Sequence, residues 1–194
     1  GTFTNSIKDA ICLYNIMSGP DDFDSTCFQD AHSVSIKKFD SERELTVGII
    51  SDYNNAKGLD PEIKNSIDEL IIKLKEDGAD IKEFSFPFLD VLVPTYYVIS
   101  TAEASSNLSR FDGVHFGYRS PNSNGLQDTY VKSRSEGFGA EVKRRIMAGT
   151  FVLSHGYYDA YFTKAQKVRR IIKDQTEEIM ANCDVVIMPT TIST

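Results

Sequence analysis

A strand–helix–strand pattern in the first half of the chain constrains the fold more than any other feature. Residues 45–50 form a short apolar run that is typical of a buried strand. Residues 60–62, Asp-Pro-Glu, then supply a capping side chain, a first-turn proline and an acid at the positive end of a helix. Helical spacing of apolar residues continues to Gly78, and residues 81–86 alternate as a second strand. Such a unit is usually a right-handed crossover between parallel strands, so the sequence predicts an α/β fold.

The rest of the chain extends this pattern without a shift in composition. We predict helices at 4–19, 96–108, 140–153 and 157–181, a strand at 184–188, and connections at 87–94 and 110–128. The fold class is therefore α/β, with a mixed β-sheet flanked by helices. Residues 1–194 are predicted to form one partial domain with no internal boundary. The chain begins without Met and stops directly after an apolar run, so we expect a portion of a larger protein.

Charge and residue usage narrow the function classes. The net charge of -7 argues against a main nucleic-acid-binding surface, because such a surface needs a basic patch to neutralise phosphates. The three cysteines and three histidines lack the spacing of a metal site, and we predict none. No apolar run approaches the roughly 18 residues of a membrane span, so no membrane contact is expected.

Three segments could carry chemistry, and each has a structural alternative. Ser105 and Ser106 could be a nucleophile pair, but small residues that pack a helix are the favoured interpretation. Consecutive cations at residues 143–145 fan out around a helix, so one should face the side of Gly149 and need a carboxylate partner. That partner could be a structural acid or a substrate. The basic stretch 164–173 is either a solvated face or a contact for RNA or an acidic partner.

Longer runs carry a family resemblance across essentially the whole chain. They are Pro94–Tyr97, Ala102–Gly113, Arg134–Gly139, Glu141–Ile146, Gly149–Phe151, Gly156–Tyr161, Lys164–Arg170 and Met188–Thr190. In this order they resemble the amidase signature family, and within it the glutamine-hydrolysing A subunits of tRNA-dependent amidotransferases. The resemblance implies the amidase signature fold and a Ser–Ser–Lys triad assisted by an oxyanion hole.

The same resemblance implies an activity and its partners. The glutamine-hydrolysing subunits release ammonia from glutamine, and the B subunit uses it with ATP and Mg to convert Glu-tRNA(Gln) to Gln-tRNA(Gln). The expected partners are therefore the B and C subunits, with the tRNA held mainly by B, and no cofactor is expected on this chain. The implied location is the cytoplasm of a bacterium or an organellar matrix. Another amide hydrolase of the family, or a non-catalytic interaction module on this scaffold, remains an alternative.

Residue by residue, the resemblance gives a substrate site without a nucleophile. The triad lysine and serines of the family precede the segment that matches Gly1, so no catalytic residue is expected here and the chain alone should be inactive. Tyr96 matches the first tyrosine of a Tyr-Tyr pair, whose hydroxyl faces glutamine. Arg145 matches the arginine that suits the glutamine α-carboxylate as a bidentate pair. The aspartate expected at the substrate ammonium would lie beyond Thr194.

Overall fold

The computed structural model describes residues 1–28, 33–35 and 44–193. The chain divides into two compact units, residues 1–43 and residues 44–194. The absence of an internal domain boundary stays a prediction. Among the described residues, no helix is both long enough and apolar enough to cross a bilayer.

The first unit contains the predicted N-terminal helix, α1 (Ile7–Met17). Its N-cap is Ser6, whose hydroxyl accepts from the Asp9 amide at 3.1 Å. The Asn15 side chain links α1 to Val34. It accepts from the Val34 amide at 2.9 Å and donates to the Val34 carbonyl at 2.8 Å. None of residues 7–17 is buried within the structure as described.

The second unit is built on a parallel sheet with the order β2-β1-β3. The three described strands are β1 (Thr46–Ile50), β2 (Asp80–Phe84) and β3 (Val185–Ile187). Val47 in the central strand pairs with Ile81 on one side and with Val185 on the other. Residues 47–50 are buried, as expected for a strand covered on both faces. The α/β fold and the parallel pairing of the first two strands are confirmed.

The helix of the crossover follows its predicted signals. After a short helix, α2 (Ser51–Asn54), α3 spans Pro61–Glu76, and the Asp60 carboxylate accepts from the Glu62 amide at 2.8 Å. Gly78 has φ 89°, the left-handed conformation that ends helices. The core beside the sheet consists of Ile50, Phe86 and Ile179.

The next helix, α4 (Leu89–Leu108), starts earlier than predicted. The prediction of a connection at 87–94 is wrong, because Pro94 lies inside the helix rather than at its boundary. Proline disfavours helical conformation in the residue before it, which is why it signalled a boundary. Here the first turn is anchored independently: the Leu92 amide donates to the Phe88 carbonyl at 3.2 Å, and the Leu92 side chain packs against the core.

A helix that the sequence pattern missed, α5 (Leu126–Gly137), lies within and beyond the predicted 110–128 connection. Its buried residues are Thr129 and Ser133 rather than apolar ones, so it has no apolar stripe to detect. The predicted helix at 140–153 is confirmed as α6 (Ala140–Val152).

The predicted helix at 157–181 is continuous but changes its winding. Residues Tyr158–Thr163 form a π-helix, and α7 (Lys164–Ala181) follows it without a break. Ala165 and Ile179 are buried on α7, and Ile172 packs against the core, which gives an inward face repeating every seven residues.

Candidate functional site

The site is framed by the close approach of α6 to α4. A Cβ added to Gly149 would lie 2.6 Å from the carbonyl carbon of Thr101 and 2.7 Å from the Ser105 Cβ. Beside this contact the hydroxyls of Ser105 and Thr150 are hydrogen-bonded at 3.0 Å. Ser105 therefore packs one helix against the other, as the favoured structural interpretation predicted. The contact sets the distance between the helices that carry Tyr96 and Arg145.

Tyr96 and Arg145 are brought together across this interface. A side-chain hydrogen bond between them lowers the pKa of the Tyr96 phenol and raises the pKa of the Arg145 guanidinium. The guanidinium carbon also lies 5.9 Å from the centroid of the Tyr97 ring, which meets the Tyr96 ring edge-on at 5.3 Å. The structure thus places a cation and a phenol side by side.

The three consecutive cations of α6 fan out as predicted. Lys143 Nζ donates to the Ser135 carbonyl at 2.7 Å, and Arg144 is 72% exposed, whereas Arg145 is only 35% exposed. Arg145 is therefore the half-buried cation on the side of Gly149. It has a structural carboxylate partner, because its Nε lies 3.1 Å from Glu141 Oε1.

Glu141 is shared between the two arginines. Its Oε2 accepts from Arg144 Nε at 3.0 Å, while Oε1 accepts from Arg145. The hydrogen bond from Arg145, followed by the charge of Arg144, lowers the pKa of the Glu141 carboxyl. The ion pair with Arg145 uses Nε, which leaves the two Nη groups outside that pair. Arg145 can therefore keep Glu141 as its structural partner and bind the carboxylate of a ligand at the same time.

A pocket of about 380 Å³ lies beside Tyr96, between α4 and α7. Its lining includes apolar Leu92, Ile99 and Ile172, and polar Tyr96, Glu103 and Arg169. Tyr96 lines this pocket and is more than half exposed, so a ligand in the pocket could contact its ring. The pocket therefore combines an apolar surface with one acidic side chain, Glu103, and one basic side chain, Arg169.

The loop after α4 is fastened to α5 by Arg134. One of its Nη atoms donates to the carbonyls of Leu108 and Phe111, at 2.8 and 3.0 Å. Its guanidinium carbon also lies 5.1 Å from the centroid of the Phe138 ring. Arg134 thereby satisfies a carbonyl at the C-terminus of α4, which has no partner within the helix.

The sequence patterns indicated no role for Glu141 or Tyr97. Glu141 precedes Arg145 by four residues, the spacing of an intrahelical ion pair, so a search for partners of Arg145 could have found it. Within residues 1–28, 33–35 and 44–193, no group of His, Cys, Asp or Glu could hold a metal ion. A role of Tyr96 and Arg145 in binding glutamine stays a prediction.

Comparison with known proteins gives a consistent result. The profile of the amidase family matches residues 1–194. The glutamyl-tRNA(Gln) amidotransferase A subunit of Fusobacterium nucleatum is 48% identical over 97% of this chain and 39% of its own length. The protein of the same name from Lachnoclostridium phytofermentans is 47% identical over 98% of this chain and 39% of its own length.

A solved structure gives the same family likeness. The crystal structure of the glutamyl-tRNA(Gln) amidotransferase A subunit from Thermotoga maritima matches 98% of this chain and 36% of its own, with a TM-score of 0.65 and 31% identity. The chain thus spans about two fifths of the length of the relatives that it matches.

Proposed function

Since the chain belongs to the amidase family, we propose that it forms the glutamine-binding portion of the A subunit of a glutamyl-tRNA(Gln) amidotransferase. The observation that carries the proposal is that Arg145 lies at the tyrosine pair of the adjacent helix, with its guanidinium carbon 5.9 Å from the centroid of the Tyr97 ring, which meets the Tyr96 ring at 5.3 Å. Arg145 and Tyr96 are the two residues that the family resemblance assigns to the substrate. In the parent protein, glutamine is hydrolysed to glutamate and ammonia.

The geometry suits recognition of an α-amino acid. Arg145 is half-buried and keeps its two Nη groups outside the ion pair with Glu141, so it can hold the α-carboxylate through parallel hydrogen bonds. Tyr96 lies beside it and can exchange a hydrogen bond with the same ligand. A nucleophilic serine elsewhere in the parent protein would attack the side-chain amide and release ammonia. Water would then hydrolyse the acyl-enzyme to glutamate.

The names of the relatives, which are A subunits, support a multi-subunit assembly for the proposed function. The ammonia would pass to a B subunit that uses ATP and Mg to amidate Glu-tRNA(Gln), with a C subunit completing the complex. The net charge of -7 supports a division of labour in which the tRNA is held mainly by B. We place the complex in the bacterial cytoplasm or an organellar matrix. This portion alone should be inactive and bind no cofactor.

The test uses the intact parent protein in its complex. Arg145→Ala should raise the KM for glutamine by about a hundredfold, because removing one partner of a hydrogen-bonded charge pair weakens binding by this order. Hydrolysis of an amide without the α-carboxylate should change much less. Arg170→Ala is the matched control, since Arg170 is an exposed arginine on α7 that donates to Asp174 and does not contact Glu141.

Two results would overturn this proposal. Equal losses on glutamine and on the carboxylate-free amide would show that Arg145 does not hold the carboxylate. A parent protein that cleaves other amides but not glutamine would be another hydrolase of the family.

A further inference from the structure

Glu141 holds Arg145 through one defined edge of the guanidinium. Its Oε1 accepts from Arg145 Nε at 3.1 Å, and its Oε2 accepts from Arg144 Nε at 3.0 Å. The two arginines are one residue apart and diverge around the helix. Glu141 is therefore held by two donors from different directions, which restricts where its carboxylate can lie.

This arrangement limits how Arg145 can bind an anion. A guanidinium offers a carboxylate a side-on edge of Nε with one Nη, or an end-on edge of the two Nη groups. With Nε donating to Glu141, the side-on edge is occupied, and the hydrogen bond with Tyr96 uses one of the four Nη hydrogens, which leaves the others for a carboxylate. The Tyr97 ring, whose centroid is 5.9 Å from the guanidinium carbon, provides a further contact for the cation.

We infer that Glu141 is a positioning residue that directs the two Nη groups of Arg145 at the carboxylate of the substrate, so that an α-amino acid binds end-on. The inference rests on the proposed function and deepens it, because it names the guanidinium edge used and the residue that selects it. Glu141 acts through Arg145 and not by contact with the substrate.

A purely structural role makes a different prediction. Exposed ion pairs four residues apart stabilise helices slightly and do nothing else. Lys173 and Glu177 form such a pair on α7, with 3.3 Å between Nζ and Oε1. If Glu141 had only this role, its loss would lower stability slightly, as the loss of Glu177 does, and would leave the KM for glutamine unchanged.

The experiment measures glutamine hydrolysis by the intact parent protein in its complex. Glu141→Ala should raise the KM for glutamine by up to about fivefold, the range that exposed ion pairs support, with kcat within about twofold. Hydrolysis of the carboxylate-free amide should not change. Glu141→Gln should recover part of the loss, since its amide oxygen can still accept from Nε. Glu177→Ala is the matched control and should leave KM unchanged.

A double-mutant cycle with Arg145→Ala decides whether Glu141 acts through Arg145. Glu141→Ala should add nothing once Arg145 is absent. An equal rise in KM with and without Arg145, or equal effects of Glu141→Ala and Glu177→Ala, would overturn the inference and leave the proposed function standing. A parent protein without glutaminase activity would overturn both.

Discussion

Replacing Gly149 with alanine tests whether the α4–α6 contact sets the architecture of the site. The added methyl would lie 2.6 Å from the Thr101 carbonyl carbon and 2.7 Å from the Ser105 Cβ, whereas ordinary contact begins at 3.4 Å. Thr101 contributes backbone here, so it cannot rotate away. The Thr101 carbonyl oxygen lies closer still, so the helices would have to separate by more than about 0.8 Å to restore the distances of a close-packed interior.

The expected change in the free energy of unfolding is the sum of three effects. Alanine is favoured over glycine inside a helix by about 1 kcal/mol. Overpacking a tight contact costs about 1–3 kcal/mol. Separation of the helices would also break the 3.0 Å hydrogen bond between Ser105 and Thr150, a loss of about 1 kcal/mol. The net loss of unfolding free energy should be about 1–3 kcal/mol, and larger for Gly149→Val.

Thermal unfolding measures this loss directly. In the intact parent protein, which is longer than this chain, a loss of about 2 kcal/mol lowers Tm by a few degrees. Gly139→Ala, at the N-cap of α6, is the control for a methyl without neighbours, because nothing lies within 4 Å of a Cβ there and its φ is -66°. A Gly149→Ala protein as stable as the Gly139→Ala protein would refute the reasoning.

Two further predictions concern the neighbouring side chains. The Tyr96 phenol should ionise below the ordinary pKa of 10.0, because its hydrogen bond with Arg145 favours the phenolate. Ultraviolet titration against a Tyr96→Phe reference should show this, and a midpoint that does not rise in Arg145→Ala would contradict it. Arg134→Ala should lower the unfolding free energy by about 2 kcal/mol, because two carbonyls, those of Leu108 and Phe111, lose a charged donor. Urea unfolding measures that change, and an unchanged midpoint would show that water replaces Arg134.

The sequence predicted those elements whose residues carry local signals. The Asp60 cap and Gly78 bounded α3 correctly, since a capping carboxylate and a left-handed glycine are properties of one or two residues. The predicted start of α4 was wrong, because packing of Leu92 on the core outweighed the local effect of Pro94 on the helix. The helix α5 was missed because its buried residues, Thr129 and Ser133, are polar.

The candidate site was predictable in part. The helical spacing of residues 143–145 indicated one half-buried cation, and the structure identifies it as Arg145. That Arg145 meets Tyr96 depends on the packing of two helices through Gly149, and no spacing along the chain encodes this. The partnership with Glu141 is encoded by spacing, because Glu141 is the only acid three or four residues from Arg145 in the sequence.

The π-helix at Tyr158–Thr163 controls the orientation of everything that follows it. The π-helix runs directly into α7. Its number of residues per turn therefore decides which face of α7 points to the core. If the same six residues wound as an ordinary α-helix, α7 would turn by about 100° relative to the preceding chain. Ile172 and Ile179 would then leave the sheet and Arg169 would leave the pocket beside Tyr96. The winding of this segment is therefore as constrained as the identity of any buried side chain.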